Sequence, residues 1–309
     1  MTLPPDHATR LARAELALDG LSVGDAFGER FFVSPDVVDQ LIAERALPRS
    51  PWWYTDDTEM AAALVDVLSE RGAIDQDLLA DAFARRWARE PDRGYGGGAI
   101  GILRAISLGT PWREAARAAF GGQGSLGNGG AMRVAPLGAY FADDLDALVE
   151  QARASAEVTH AHPDGQAGAI AAALGAAYGW RWRNDRASLE GAKLLDWVLR
   201  RTPRSETRTM LERARALSPE DEVEMAMLSL GTGSRVSAAD TVPFALWCAA
   251  RHLDAFEEAM WTTVSGLGDR DTTCAIAGGI VALSAGRASI PATWLGAREA
   301  PARGVLREG

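Results

Sequence analysis

Lysine is all but missing from the chain: among 32 basic residues only Lys193 is a lysine. It lies in the ordinary amphipathic stretch 191–199, so chemistry that needs a Schiff-base or phosphate-clamping lysine has almost no candidate. Cysteine is nearly as scarce. Cys248 and Cys274 stand apart, with no CxxC pair and no cluster among the 4 histidines, which excludes a zinc finger or disulfide framework and fits a reducing compartment. Both read as small buried hydrophobes. Positive charge is in deficit, 32 basic against 42 acidic residues for a net charge of −10, so no global field draws the chain to phosphate backbones or anionic lipid. No apolar run reaches the roughly 18 residues of a membrane span, and the opening MTLPPDHATR lacks the apolar core of a signal peptide. The expectation is a cytoplasmic protein with neither nucleic acid nor membrane as partner. The signatures HExxH, GxxxxGK[ST] and HRD are absent, which removes the standard zincin, P-loop and kinase classes.

What is present is helical periodicity. The chain has 309 residues, 47% of them hydrophobic, enough for a large core. Met60, Leu64 and Leu68 follow the segment TDDT at helical spacing, and Leu253, Phe256, Met260 and Leu267 recur three, four and seven apart. Further helices are expected at 10–27, 76–89, 145–158, 166–182, 188–200, 220–230 and 271–285, while strand-like alternation is nearly absent. The fold class is therefore all-α, a compact single-domain orthogonal helical bundle. Alanine and glycine crowd GQAGAIAAALGAAYG and CAIAGGIVALSAG, marking central helices whose backbones approach closely. No linker, charge run or repeat interrupts 9–286, which is read as one domain between an N-terminal tail, 1–8, and a C-terminal segment, 287–309, packing on or trailing it.

Function is expected in the segments that break the pattern: TDDT, RGYGGG, FGGQGSLGNGG, THAHPDG and SGLGDRDTT. Thr55, Asp56, Asp57 and Thr58 open a helix, and one cap residue would explain part of that cheaply. Capping does not account for two adjacent acids with two threonines, and Asp269, Asp271, Thr272 and Thr273 repeat the composition at another helix start. Carboxylates and hydroxyls are hard ligands suited to Mg²⁺, Mn²⁺ or Ca²⁺. Four acids gathered without cations would repel one another, so a dinuclear metal site at helix N-termini and loops would explain the clustering. Gly122, Gly124 and Gly127 match GxGxxG, but the preceding 112–120 reads as helix rather than strand, so a dinucleotide fold is rejected. The glycines from Gly121 to Gly130 still offer backbone amides to an anion such as pyrophosphate, with a plain turn as the other reading. For His160 and His162, hydrogen bonding to a ligand is preferred over metal ligation.

Taken together, GLSVGDAFGE, YTDDTEM, RGYGGG, FGGQGSLGNGGAMRVAPLG, VTHAH, VPFALW and GLGDRDTTCAIAGGI resemble the ADP-ribosylglycohydrolases, the dinitrogenase-reductase-activating glycohydrolase-like family, in order over nearly the whole chain. The GSxGNGGAMR loop preceded by Phe is most similar to the serine-linked ADP-ribose and poly(ADP-ribose) hydrolase branch. The resemblance implies that Thr55, Asp56, Asp57, Asp269, Asp271 and Thr272 coordinate two Mg²⁺ ions, with Mn²⁺ as the alternative. It implies further that Phe120 stacks on adenine, that Gly124, Ser125, Gly127 and Asn128 cradle the pyrophosphate and distal ribose, and that His160 touches ribose. Glu29, directly after Gly28, is the acid nearest the place of the family's catalytic glutamate, with Asp57 and Asp271 as helpers. The implied protein is a monomeric hydrolase of ADP-ribosylated protein or ADP-ribose polymer. Alternatives are arginine-linked ADP-ribose, O-acetyl-ADP-ribose, or a protein that binds ADP-ribose without turnover.

Overall fold

The computed structural model describes residues 3–218 and 220–304; what is expected of 1–2 and 305–309 lies outside the described residues. Among the described residues there are seventeen α-helices and no strand, only two isolated bridges. No helix is long and apolar enough to cross a membrane. The fold is a single all-α domain.

Its axis is the contact between the helices His7–Glu29 and Arg270–Ala285, the most extensive in the molecule. Gly20, Gly24 and Gly28 recur every four residues and so share one face of the first helix. A Cβ on any of them would collide with the carbonyl oxygen of Gly278, Cys274 or Arg270 respectively. Only glycine lets the two backbones come this close. The same device recurs on Pro163–Asn184, where a Cβ on Gly175 would lie 2.6 Å from Leu246 and one on Gly179 2.6 Å from the Ile280 carbonyl. These two helices carry the alanine and glycine runs expected to be central, and residues 167–179 of the one and 272–284 of the other are buried throughout.

Aromatic rings seal the end of this core. Phe27 stacks on Trp294 at 4.6 Å and meets Trp261 edge-on at 5.1 Å. Trp294 belongs to the segment beyond residue 286, which the chain fastens down further: Trp52 N–H donates to the Ala297 carbonyl and Glu299 N–H to that of Trp52. Arg86, 1% exposed, bonds Glu59 at 2.6 Å, Asp66 at 2.8 Å and the Ala302 carbonyl at 3.0 Å, and the Gly304 N–H reaches Asp66. At the other end of the chain Leu3 and Pro4 lie against Gly72.

Three of the expected helices are shorter than their stretches, and a left-handed residue lies in or just beyond each break. The stretch 188–200 is a 3-10 turn, Arg186–Leu189, then a helix Leu194–Leu199, because Glu190 and Gly191 take φ of 53° and 70°. The stretch 112–120 ends as α-helix at Ala118, before Phe120 turns left-handed. The run from Leu253 to Leu267 is helical only over Phe256–Ser265, and Leu267 has a φ of 55°.

Replacing Gly24 by alanine should cost about 3 kcal/mol, the upper end of overpacking penalties, because the obstacle is backbone that cannot rotate away. Gly101→Ala, where a Cβ meets nothing within 4 Å inside a helix, should be neutral or stabilising by up to about 1 kcal/mol. Urea unfolding midpoints of the two variants would decide it; equal effects would refute the close-approach argument.

Candidate active site

Both acid-rich segments open helices. Thr55 caps Asp56–Arg71, its hydroxyl accepting from the Asp57 N–H at 3.4 Å, and Asp269 stands at the cap of Arg270–Ala285. Helix N-termini favour negative charge, which tolerates acids here without explaining so many of them. The close crossing at Gly28 brings the two starts together. Thr272 Oγ1 donates to Asp57 Oδ2 at 3.4 Å, and Thr55 Oγ1 lies 3.2 Å from the same oxygen. Thr55, Asp56, Asp57 and Thr272 are buried, and Asp269 and Asp271 half-buried.

Charge in this cluster is unfavourable as it stands. Burial, then the neighbouring Asp25 charge, pushes Asp56 up to about 8 and Asp57 far above the carboxylate range. Asp271 is raised in the same way by burial and then Asp269, and Asp269 chiefly by burial. Asp57 Oδ1 and Asp271 Oδ1 are sealed from solvent without a partner. Unpaired buried oxygens that gain from an added positive charge, in an all-oxygen donor set, fit a hard divalent cation. Among the described residues no three carboxylate, His or Cys groups are placed to hold a metal ion by themselves. A cation would therefore draw on the Thr55 and Thr272 hydroxyls and on ligands from outside the protein.

Sequence reasoning assigned no role to Asp25, which organises this site. Its fully buried carboxylate accepts from the Thr55 N–H and hydroxyl, at 3.0 and 2.9 Å, and from the N–H and hydroxyl of Thr58. Those four donors stabilise the anion while burial opposes it, leaving the group at about 6. The available signal was a lone acid in the apolar run GLSVGDAFG, since a carboxylate on a buried helix face demands donors. One turn further on, Glu29 ends the helix half-buried. Its carboxyl is raised by burial and then by Asp25, and Asp271 senses its charge, so it borders the cluster. Arg270 turns to the turn following Glu29, donating to the Phe31 carbonyl and lying 4.6 Å over the Phe32 ring.

The glycine-rich segment forms the adjoining wall. Asn128 Nδ2 donates to Asp269 Oδ2 at 2.6 Å and to Thr241 Oγ1 at 3.0 Å, tying this loop to the acids. Ser125 Oγ accepts from the Gly127 N–H at 3.1 Å. His160 lies beneath: a Cβ on Gly127 or Gly129 would sit 3.4 and 3.2 Å from its Nε2, and burial drives its pKa down to about 3, so the imidazole is neutral. Gly124, with a φ of 75°, packs on Ala161 and the His162 N–H. Phe120 stands at the outer edge, 61% exposed and left-handed at φ 52°, its ring over Gly98 where a Cβ would come within 2.7 Å. Such a conformation in a bulky residue is costly, and the surroundings hold it. His162 caps Pro163–Asn184 by accepting from the Asp164 N–H, a structural task.

An all-α domain with acids at two abutting helix starts beside a glycine-rich segment defines the class. The ADP-ribosylglycohydrolase family model matches residues 6–308, and the chain belongs to that family of hydrolases acting on ADP-ribose glycosidic bonds. It is 30% identical over 326 residues to ADP-ribosylhydrolase ARH3 of Homo sapiens, covering 93% of this chain and 89% of that one. It is 30% identical over 171 residues, 52% of this chain and 44% of the other, to ADP-ribosylarginine hydrolase Tri1 of Pseudomonas putida. Among solved structures, a chain of an ADP-ribosylglycohydrolase-related protein complex superposes with a TM-score of 0.64 at 26% identity, covering 94% of this chain and 93% of that one.

The raised carboxyls fix a pH dependence for the protein in chelator. A folded pKa above the ordinary value favours the protonated acid, so that contribution is complete at low pH and lost as pH climbs through about 6 for Asp25 and 8 for Asp56. The melting temperature in EDTA should fall between pH 5.5 and 8.5. A rise over that window would refute the assignment.

Proposed function

We propose that the chain is a Mg²⁺-dependent ADP-ribosylhydrolase that cleaves the bond at C1″ of ADP-ribose on a modified protein side chain, serine-linked by preference, or in poly(ADP-ribose). The observation that carries this reading is the gathering of Thr55, Asp56, Asp57, Asp269, Asp271 and Thr272 around sealed, unpartnered carboxylate oxygens. These six residues would hold the cations, Mg²⁺ or Mn²⁺. Bound there, the metal supplies positive charge that offsets the carboxylates and grips hydroxyls of the distal ribose.

The protein's own residues do the rest. In the Gly124, Ser125 and Gly127 segment the two glycine N–H groups are held by the Ala119 carbonyl and Ser125 Oγ, which leaves the Ser125 hydroxyl proton for the diphosphate, and Phe120 offers an exposed ring face to adenine. Asn128 has both amide hydrogens committed to Asp269 and Thr241, which leaves Oδ1 for a ribose hydroxyl. Glu29, its pKa raised by burial and neighbouring acids, is suited to deliver a proton to the leaving oxygen as the C1″ bond breaks through an oxocarbenium-like state. The resulting carboxylate then accepts a proton from the attacking water. Asp57 and Asp271 assist through their charge at the developing cation.

Arginine-linked ADP-ribose is the second reading, favoured by the likeness to the arginine hydrolase over about half the chain. Release of free ADP-ribose from matched serine-linked and arginine-linked peptides, each with Mg²⁺ and with EDTA, separates them. Serine-only release that EDTA abolishes is expected; arginine-only release would overturn the linkage, and undiminished rates in EDTA the metal dependence. Glu29→Gln should lower kcat at least about 100-fold, the usual contribution of a positioned acid or base, and full turnover would remove Glu29 from its role. Asp271→Ala should lose ADP-ribose affinity by calorimetry together with activity.

A further inference from the structure

Arg133 is a buried charge that the reaction described above does not use. It is fully buried and has no carboxylate within bonding distance among the described residues. Its Nη2 donates to the Ser155 carbonyl and to Thr159 Oγ1, both at 2.9 Å, and its guanidinium lies 4.4 Å over the Phe83 ring. Burial pushes its pKa down to about 9, so it remains charged at neutral pH. Thr159, 1% exposed, stands between this cation and His160, its Oγ1 lying 2.8 Å from His160 Nδ1.

The direction of these two bonds follows from the donors available. A guanidinium cannot accept, so the Thr159 oxygen receives the Arg133 proton. The threonine's own proton then has one acceptor within reach, the Nδ1 of His160. A neutral imidazole that accepts at Nδ1 carries its proton on Nε2. Nε2 has no protein partner among the described residues, is not sealed from solvent, and lies beside Gly127 and Gly129, where the absence of two Cβ atoms leaves it open.

We propose that Thr159, itself oriented by Arg133, locks His160 in the Nε2–H tautomer and so makes this imidazole a hydrogen-bond donor at the glycine-rich segment beside Gly127 and Gly129, available to a hydroxyl or phosphate oxygen of the ligand. Thr159 and Arg133 are positioning residues that act through His160. The other tautomer would present a bare lone pair, which repels a phosphate oxygen and can only accept from a hydroxyl. The ligand half of this proposal rests on the ADP-ribose reading; the tautomer half does not.

Nitrogen-15 NMR of histidine-labelled full-length protein tests both halves, with His160 assigned by elimination of the other three. Without ligand, His160 should show a protonated Nε2 and an unprotonated Nδ1; the reverse pattern would overturn the proposal. Thr159→Val keeps the shape but removes the relay, and should convert His160 to a mixture of tautomers and weaken ADP-ribose binding about tenfold, the order of one hydrogen bond. Thr159→Ser should restore both. Thermal melts of the two variants establish that each is folded. A valine variant with the wild-type tautomer and affinity would overturn the relay, as would a serine variant that behaves like valine. Should the lock be found in a protein that takes up no ADP-ribose, the tautomer assignment stands and the substrate reading fails.

Discussion

The site exists because two helices touch backbone to backbone. Three glycines at four-residue intervals on His7–Glu29 let its axis lie against Arg270–Ala285, and the last of them, Gly28, rests on the Arg270 carbonyl between the acids of the second helix. Everything chemical is measured from that contact. Asp25 and Glu29 flank Gly28 on the first helix, Asp269 and Asp271 flank Arg270 on the other, and Asp25 then draws in Thr55 and Thr58 and with them the third acid-bearing segment. Ordinary side chains at the crossing would part the helices by the width of a methyl group or more, and the cluster with them.

The cluster in turn reverses the usual order of stability and function. Most buried carboxylates are found already paired. Here Asp57 and Asp271 are left with sealed, unanswered oxygens, while Asp25 receives four donors. The protein satisfies the acid that holds the frame and leaves wanting the acids of the cluster. Neutral His160 and the strained Phe120 carry the same stamp on the adjoining wall, being costly states held by their surroundings.

Much of this was legible in the sequence. The all-α class followed from periodicity, and the two acid-rich helix starts were visible because carboxylates and threonines doubled where one cap would serve. What stayed hidden has a physical reason. Asp25 looked like an ordinary helical residue, because its meaning comes from donors 30 and 33 positions away. The stripe Gly20, Gly24, Gly28 is dilute beside the denser alanine and glycine runs, and only the partner backbone shows that no Cβ fits. Helix interruptions at Glu190, Phe120 and Leu267 escaped because non-glycine residues in a left-handed backbone leave little trace in composition. His162 and Asn128 belong to the right segments, yet one caps a helix and the other spends its amide on Asp269 and Thr241.

The two extremities of the described chain are moored to a single helix. Leu3 and Pro4 sit on Gly72, just past its C-terminal end, and Gly304 reaches Asp66, six positions earlier and so about 9 Å along the axis. Topologically the domain is close to a ring with a narrow gap. A few residues would close that gap, and the ring could be reopened at an exposed loop elsewhere. Glu29 and Asp271, now 242 positions apart in the sequence, would stand about 70 positions apart along such a rearranged chain, and the loop that joins them would shrink accordingly. Connectivity is thus a historical property of this site, and packing is its cause.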